Sequence, residues 1–447
     1  MPDMTTPLDR FLLAATVPVD GWHGGGDLTE AQALLAAHPD LSTQSIHSAA
    51  VLGDSATVTR FLQHEPAVAT TPGGPRGWDP LTHLCFSRYL RLDPSRSGGL
   101  VESARQLLLA GANPNTGWNE TLPEGRVILE AVMYGAAGIA QHPGLTQLLL
   151  DHGADPNDEE TAYHVPETYD LTVLRILLDS GRFTAESLST VLLRKCDWHD
   201  VEGVRLALQS GADPNRQTRW GRTAFHQAVI RNNPLAIVEA MLDHGADPTL
   251  PFHGTPGFVL AARDGRGDIL RVLQERGWSL EFTGVDRLLA ACALGDEPRA
   301  RQLAAECYGT NSPDPVDAGR WLGRFANAGD PASVAALLAL GLPVDAEWQE
   351  GLDFLNIPPR STALHVAAWR ARHAVVELLV KQGADVHWKD LAGRTPLDLA
   401  VKACVDSWWT ARRTTESIVT LLAAGADPSR IPLPTGYPEA DRLLQRR

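Results

Sequence analysis

Five residues in the middle of the chain carry side chains suited to proton transfer. They are two glutamates, a histidine, a tyrosine and a lysine: Glu130, Tyr163, His164, Glu167 and Lys195. Brought into one groove, they would serve acid–base chemistry, because burial and mutual charge shift pKa values toward neutrality. No ordered triad, nucleophile elbow, phosphate-binding loop, dinucleotide fingerprint or H-E-x-x-H motif accompanies them. The sequence therefore assigns no reaction to this set.

A second set of residues is suited to binding rather than to reaction. The chain holds 12 tryptophans, and arginines stand near Trp220 on both sides in the sequence. An aromatic ring among guanidinium groups suits carboxylate, phosphate or aromatic ligands. Exposed Trp and Arg also dominate the energetics of many protein interfaces. We expect a binding surface that includes Trp118, Tyr163, Trp198, Arg219, Trp220, Arg222 and Arg231.

Metal and phosphate sites have weaker support. The 15 histidines are scattered without fixed ligand spacing, and the best local cluster is His199 beside Asp197 and Asp200. We interpret that cluster as a hydrated helix surface. Residues 21–26 are rich in glycine but follow no predicted strand, so we expect a flexible loop before a helix that begins near Leu28. The sequence predicts no metal ion and no cofactor.

Composition limits the classes of function. The 447 residues are 44% hydrophobic and 21% charged, which provides enough apolar surface for a folded core. A net charge of -15 argues against a nucleic-acid partner, because such partners require a basic surface. The 5 scattered cysteines include no C-x-x-C pair and are typical of reduced, cytoplasmic thiols. No apolar run approaches the roughly 18 residues of a membrane span, so we expect a cytoplasmic protein without membrane insertion.

The elements that must position these residues come from an internal repeat. One phrase recurs in near copies, such as LLLAGANPN at 107–115, LLLDHGADPN at 148–157 and LALQSGADPN at 206–215. A Leu-Leu pair that ends an amphipathic helix, followed by a glycine able to adopt positive φ, is a helix stop. The glycines of the strong and weak copies are Gly111, Gly153, Gly181, Gly211, Gly245, Gly277, Gly309, Gly341, Gly383 and Gly425.

The other half of each unit lies upstream of the stop. It is clearest as TALHVAA from Thr362, TAFHQAV from Thr223 and TPLDLAV from Thr395. These segments resemble the T-P-L-H-x-A-A signature of ankyrin repeats, and the P-N after G-A-D is closest to the bacterial kind. The resemblance implies an all-α solenoid of about twelve helix-turn-helix repeats with short finger turns. It also implies that threonine caps the first helices and that His226 and His365 form structural hydrogen bonds.

The resemblance covers nearly the whole chain and sets its organisation. We expect residues 1–43 to form an N-terminal cap and first repeat, residues 44–429 the repeat array, and residues 430–447 a C-terminal cap. Insertions near 91–100 and 135–144 are expected to form loops on one face, where they can shape a site. No linker is long enough to separate domains.

The ankyrin pattern also assigns positions to the candidate residues. It places Glu130 in the first helix of the fourth repeat, and Lys195 where a small alanine is expected. A lysine there must extend to solvent or meet a carboxylate, and Glu130 or Glu167 is the expected partner. Finger or first-helix surface is implied for Trp118, Trp198, Trp220, Trp369 and Trp388.

Two main hypotheses of function follow, and a third possibility is a purely structural scaffold. The first is a non-enzymatic scaffold that presents the concave face of repeats 3 to 7 to a protein or peptide partner. The alternative is an enzyme or small-molecule-binding protein that uses Glu130, Tyr163, His164, Glu167 and Lys195 in the same groove. Geometry separates them, because acid–base groups must lie within hydrogen-bond or water-bridge reach of one another.

Overall fold

The computed structural model of the chain describes residues 6–309, 314–407, 409 and 412–445. The chain divides into two compact units, residues 1–224 and residues 225–447. Each unit is a stack of short helices, in which a helix packs on its partner in the same repeat and on helices of the next repeat. This is the all-α ankyrin-repeat solenoid that the sequence predicts.

The helices of the first unit begin near the N-terminus and continue to its end. They are α1 (Pro7–Ala15), α2 (Thr29–Ala37), α3 (Leu41–Gln44), α4 (Ile46–Leu52), α5 (Ser55–His64), α6 (Pro80–Cys85), α7 (Tyr89–Leu92), α8 (Ser97–Leu109), α9 (Pro143–Asp151), α10 (Glu160–His164), α11 (Thr172–Asp179), α12 (Ala185–Asp197) and α13 (Val201–Gln209). Short 3₁₀ turns at Pro66–Thr70 and Pro94–Arg96 and a π-helical turn at Tyr134–Ile139 complete it.

The helices of the second unit have similar lengths. They are α14 (Ala224–Ile230), α15 (Leu235–Asp243), α16 (Gly257–Arg263), α17 (Gly267–Glu275), α18 (Val285–Ala293), α19 (Glu297–Tyr308), α20 (Pro315–Ala328), α21 (Pro331–Leu338), α22 (Ala363–Trp369), α23 (His373–Lys381), α24 (Pro396–Asp406), α25 (Glu416–Ala423) and α26 (Pro438–Leu444). A 3₁₀ turn lies at Asp353–Leu355. None of the described helices combines the length and apolar character that a bilayer crossing requires.

The repeated glycine turns form as the sequence predicts. Every glycine of the predicted set has a positive φ, from 61° at Gly309 to 100° at Gly111. At Gly111 the backbone N–H donates to the Leu108 carbonyl at 3.1 Å, and the N–H of Ala112 donates to the Leu107 carbonyl at 2.9 Å. These bonds satisfy carbonyls at the helix end that would otherwise have no partner.

The upstream signature also has its expected local chemistry. Thr395 caps α24, because its hydroxyl accepts from the Asp398 N–H at 3.3 Å while the Asp398 carboxylate accepts from the Thr395 N–H at 2.7 Å. His226 Nε2 lies 2.9 Å from the Leu250 carbonyl, and His365 Nε2 lies 3.1 Å from the Trp388 carbonyl. The structural role predicted for these two histidines is confirmed.

The core of each unit consists of leucines from the second helices of the repeats. Each of these side chains has no exposed surface, since stacking buries the apolar face that one helix pair cannot bury alone. The set includes Leu107, Leu149, Leu177, Leu273, Leu337, Leu379 and Leu421.

Two β-hairpins interrupt the helices. Strand β1 (Gly117–Thr121) pairs antiparallel with β2 (Val127–Ala131), and β3 (Pro251–Phe252) pairs with β4 (Thr255–Pro256). Glu130 therefore lies on β2, and its predicted place in a first helix is wrong. The pairing continues to the turn, where the Leu122 N–H donates to the Arg126 carbonyl at 2.9 Å. A β-branched pair at Val127 and Ile128 favours the strand over a helix.

The two predicted insertions contain ordered structure. Residues 91–100 hold the end of α7, a 3₁₀ turn and the first turn of α8. Residues 135–144 hold most of the π-helical turn and the start of α9. The predicted C-terminal cap contains α26.

Candidate functional site

The β1–β2 hairpin of the first unit presents three functional side chains on one face. Trp118 and Glu120 are two residues apart on β1, and Glu130 stands directly opposite Trp118 on β2. Because side chains alternate between the two faces of a strand, Trp118, Glu120 and Glu130 share a side. Glu130 is buried, with 1% of its surface exposed, whereas Glu120 is half-buried.

His23, from the glycine-rich loop between α1 and α2, packs against this face. Its ring contacts Trp118 edge-on at a centroid distance of 5.5 Å, and its Nδ1 lies 3.1 Å from the Tyr134 hydroxyl. His23 Nε2 lies 3.8 Å from a Glu120 oxygen, and Nδ1 lies 3.8 Å from Glu130 Oε2. Two glutamates and a histidine that are about 100 residues apart in sequence thus meet.

Burial controls the charge of these groups. Burial, together with the nearby carboxylates of Glu160 and Glu120, raises the pKa of Glu130 to about 8. Burial also lowers the pKa of His23, although the Glu120 and Glu160 carboxylates oppose that change. The same burial raises the pKa of Tyr134 above its ordinary value. Near neutral pH these surroundings therefore favour the uncharged forms of Glu130, His23 and Tyr134.

A second polar cluster adjoins the first and is centred on His164. Its Nε2 lies 3.1 Å from a Glu160 oxygen, and its Nδ1 lies 3.1 Å from a Glu167 oxygen. Burial alone lowers the pKa of His164, but the hydrogen bonds with Glu160 and Glu167 outweigh it and raise the pKa to about 9. Arg194 joins the cluster through Glu167 at 2.5 Å and Asp197 at 2.5 Å. The imidazole is therefore a cation held between two anions.

The outer side of this cluster is an aromatic–arginine surface. The Tyr163 and Trp220 rings lie 5.8 Å apart, the Arg194 guanidinium lies 4.0 Å from the Tyr163 ring centroid, and the Arg219 guanidinium lies 4.7 Å from the Trp220 centroid. Arg219 also forms an ion pair of 2.6 Å with Glu159. We call Tyr163, Arg194, Arg219 and Trp220 the Tyr163–Trp220 face.

An open groove of about 590 Å³ runs beside this face. It lies between neighbouring repeats of the first unit, and its walls combine carboxylates, hydroxyls and one guanidinium. Its lining includes Glu159, Ala162, Glu186, Ser187, Thr190 and Arg219. The groove is therefore accessible from solvent and continuous with the Tyr163–Trp220 face through Arg219.

Other residues of the predicted binding set lie elsewhere. Trp118 stacks on Trp78 at 5.5 Å, and its ring packs beside His23 rather than at a finger tip. Trp198 is half-buried, and its carbonyl accepts from the Tyr169 hydroxyl at 2.8 Å. Trp369 is buried with its indole N–H bonded to the Leu355 carbonyl, so its predicted exposure is wrong.

The two remaining arginines of that set differ in position. Arg222 belongs to the first unit and is half-buried. Arg231 belongs to the second unit, where its guanidinium stacks 4.3 Å above the Phe354 ring. Trp388 is half-buried.

Lys195 has a different partner from the one that the sequence predicts. It is fully buried, and its ammonium donates to the Asp200 carboxylate at 2.8 Å and to the Thr168 carbonyl at 2.6 Å. Arg194, the preceding residue, takes Glu167 instead. Successive residues on a helix point about 100° apart, so Lys195 turns away from the glutamates and into the α12–α13 turn. Asp200 is likewise buried and caps α13, so it does not form the hydrated surface expected of it.

The arrangement does not favour the acid–base alternative. Both ring nitrogens of His164 are bonded to carboxylates, and Lys195 is held away by Asp200. A general base needs a lone pair near the proton that it removes. The His164 imidazolium offers none, because each of its two ring N–H groups donates to a carboxylate. These groups stabilise one another instead.

Sequence reasoning missed His23, Glu120 and Tyr134. The Trp118–Glu120 spacing on alternate positions was the one available signal for the hairpin face. Nothing local indicated that a glycine-flanked histidine near residue 20 would reach it.

Comparison with protein families and curated relatives agrees with the repeat. A family model described as "Ankyrin repeats (many copies)" matches residues 192–242, and one described as "Ankyrin repeat" matches residues 360–391. Cyclin-dependent kinase 4 inhibitor B of Homo sapiens is 35% identical over 112 residues, which is 23% of this chain and 72% of that protein. The Bos taurus protein of the same name is 37% identical over 89 residues; the match spans 62% of its length, less than two thirds, and 18% of this chain.

Two solved ankyrin repeat domains are among the structures to which this chain is similar. That of human ASB11 is 20% identical, with 59% of this chain and 96% of that chain covered and a TM-score of 0.26. That of Bcl-3, an IkappaB protein, is 25% identical, with 52% and 98% covered and a TM-score of 0.24. The recurring glycine turns, the capped first helices, the family models and the curated relatives lead to one conclusion: the chain belongs to the ankyrin-repeat family.

Proposed function

We propose that this chain is a scaffold that binds a protein partner through the Tyr163–Trp220 face and the adjoining groove of its first unit. The observation that carries the proposal is the half-buried pair of aromatic rings with two guanidinium groups stacked on them. Such aromatic and arginine side chains supply most of the binding energy in many interfaces. Curated relatives named as inhibitors of cyclin-dependent kinase 4 are consistent with a protein-binding role.

The charges on the face select the kind of segment that it binds. Arg219 and Arg126 both pair with the exposed Glu159, at 2.6 Å and 3.1 Å. A partner carboxylate can replace Glu159 as the acceptor for Arg219, and a partner aromatic ring can stack on Trp220. We therefore propose an acidic peptide segment with an aromatic residue as the occupant of the groove.

Two opposite substitutions test this assignment. Peptides are selected from a random displayed library against the full chain, and their affinities are measured by titration calorimetry. Combined Arg219→Ala and Trp220→Ala should weaken binding by at least about tenfold, because both stacked groups are lost. Glu159→Gln should strengthen binding several-fold, because it releases Arg219 from its internal partner.

Matched controls lie in the same unit. Arg205→Ala removes a comparably exposed arginine from α13, and Trp22→Ala removes a tryptophan that is 73% exposed. Both should leave the affinity unchanged. Selected peptides that bind the Arg219→Ala/Trp220→Ala chain as tightly as the original would show that the binding face lies elsewhere.

A small anionic ligand is the second candidate for the same groove. The volume of the groove, about 590 Å³, falls within the range of small-molecule sites. A concave location of the face, a cytoplasmic location of the protein and the bacterial type of ankyrin repeat stay predictions from the sequence.

A further inference from the structure

Three side chains that commonly ligate metals converge on the inner face of the β1–β2 hairpin. One ligand atom from each of His23, Glu120 and Glu130 lies within 4.8 Å of the other two. They come from two separate parts of the chain, the loop before α2 and the hairpin. Their convergence is therefore a product of the tertiary fold and not of local spacing.

Two of the converging atoms have no hydrogen-bond partner. Glu130 is 1% exposed and its Oε2 is unpartnered, and His23 is 7% exposed and its Nε2 is unpartnered. Burying a polar atom without a partner costs about 1–3 kcal/mol, and buried polar atoms in folded proteins are normally satisfied. Both side chains belong to the same cluster of ligand atoms within 4.8 Å of one another, which indicates that something positively charged or proton-donating belongs between them.

The negative charge of the two hairpin carboxylates favours a cation beside them. Glu120 and Glu130 bring two carboxylates together beside the Glu160 carboxylate, in a setting of low polarity formed by Trp118 and Tyr134. Like charges that share a buried site repel one another unless a proton or a metal ion lies between them. Glu160 forms an ion pair with His164, so the hairpin carboxylates are the pair that a bound cation would balance.

We propose that His23, Glu120 and Glu130 form a binding site for a divalent transition-metal ion of the Zn²⁺ class. One imidazole nitrogen with two carboxylates suits Zn²⁺ better than Ca²⁺ or Mg²⁺, which prefer oxygen ligands alone. Ligands about 2.0–2.2 Å from zinc stand about 3.5 Å apart in a tetrahedron. His23 Nε2 lies 3.8 Å from a Glu120 oxygen and the three ligand atoms lie within 4.8 Å of one another, so they must draw together by up to about 1 Å to bind zinc.

The surroundings of the site orient its histidine as metal sites require. The metal would be bound by Nε2, while Nδ1 donates its proton to the Tyr134 hydroxyl at 3.1 Å. The loop that carries His23 is fixed by Arg91, which donates to the Gly24 carbonyl, and by Arg88, which donates to the Asp27 carbonyl. Three protein ligands leave a fourth position for water or for a group of a bound partner.

Zinc titration of the full, chelator-treated chain tests the site directly. Calorimetry at pH 7.5 should show one strongly bound Zn²⁺ per chain and no comparable binding of Ca²⁺. Glu130→Gln and His23→Gln should each weaken Zn²⁺ binding by more than about 100-fold, and Tyr134→Phe should weaken it by about 10–100-fold. Glu124→Gln in the hairpin turn and His38→Gln on the surface are matched controls and should bind as the original does.

Thermal unfolding separates a metal site from a folding defect. Zinc should raise the melting temperature of the original chain and of both controls, but not that of Glu130→Gln. If zinc binding is absent, if it persists in both ligand variants, or if Ca²⁺ binds equally well, the proposal is overturned. A shared proton in place of a metal would appear as a more stable Glu130→Gln chain together with no effect of zinc on the original, and this too would overturn it.

Discussion

At the residue scale, buried charged side chains of the first unit form ion pairs with one another. Lys195 and Asp200 form a pair at 2.8 Å with almost no exposed surface, and burial lowers the pKa of Lys195 although Asp200 opposes the change. Asp200 also accepts from the Gly203 N–H at 2.9 Å, which caps α13. The pair therefore ties the end of α12 to the start of α13.

Removing one member of this ion pair should strongly destabilise the first unit. Lys195→Met leaves a buried carboxylate, and Asp200→Asn leaves a buried ammonium while keeping an oxygen for the cap. Each should lower the free energy of unfolding by about 3–5 kcal/mol, and the double variant should be closer to the original than the sum of the two. Urea unfolding followed by circular dichroism measures this, provided that the transition belongs to the first unit.

Arg205→Met is the matched control, because Arg205 pairs with Glu202 in the same unit and the two side chains are 47% and 70% exposed. Such a surface pair contributes less than about 1 kcal/mol. Equal losses for Lys195→Met and Arg205→Met would contradict the role given to the buried pair.

The His164 cluster predicts a dependence of stability on pH. The pKa of His164 in the folded chain is raised to about 9 from its ordinary value of 6.5, so its contribution to stability is complete below pH 6.5 and is lost as the pH rises through 9. Glu160, Glu167, Arg194, Tyr163 and Tyr134 face or flank the ring. The loss should be at most about 3 kcal/mol.

Comparison with His164→Gln isolates the contribution of His164 to the dependence of stability on pH. The raised pKa of Glu130, about 8, also lowers the free energy of unfolding as the pH rises over part of the same range. Glu130 is present in both chains, so the comparison removes this effect. The low pKa of Glu167 acts only in acid. Urea midpoints measured in chelator from pH 6 to 9.5 should fall more steeply for the original chain, and parallel curves would refute the assignment.

At the element scale, the β1–β2 hairpin is the part of the first unit that departs most from the helical pattern. It brings Trp118, Glu120 and Glu130 onto one face and depends on a close approach between its strands. A Cβ atom added at Gly117 would overlap the Glu130 carbonyl oxygen, which is backbone and cannot move aside cheaply. Glycine is therefore needed at the base of β1.

Gly117→Ala should open the base of this hairpin. Amide hydrogen exchange of residues 117–131 should become faster, and the melting temperature should fall by several degrees, since a loss of about 1–2 kcal/mol is expected. Gly98→Ala in α8 is the control, because a Cβ there meets no atom within 4 Å. It should leave the hairpin unchanged and stabilise the helix by less than about 1 kcal/mol. Unchanged exchange in Gly117→Ala would show that the strands tolerate the side chain.

The helices and turns were the most predictable elements. Glycine at each stop and threonine at Thr362 and Thr395 act through neighbours a few residues away, so the sequence pattern is enough to place them. The hairpin was not predicted, because a helical repeat was expected at that position and its strands depend on pairing across the turn. Lys195 was correctly singled out as unusual, but its partner depended on the rotation of α12.

At the scale of the whole molecule, the repeat provides stability by stacking and leaves function to the departures from it. Rows of leucines are buried between neighbouring helix pairs in each unit, so no single site holds the core together. The departures that carry the candidate sites are the His23 loop, the β1–β2 hairpin and the Tyr163–Trp220 face, and all three belong to the first unit. The charge of -15 makes any acidic partner depend on local arginines such as Arg219, since the whole chain repels anions.

The amino-acid sequence by itself determined the helix stops, the caps, the leucine core and the ankyrin family, because each rests on contacts within one repeat or between adjacent ones. Only the tertiary structure decided which charged groups meet. His23 lies beside Glu120 and Glu130, which are about 100 residues away in the sequence. Lys195 forms its ion pair with Asp200 rather than with Glu167. Such meetings depend on the direction in which each side chain leaves its helix or strand, and a change of one residue along a helix turns that direction by about 100°.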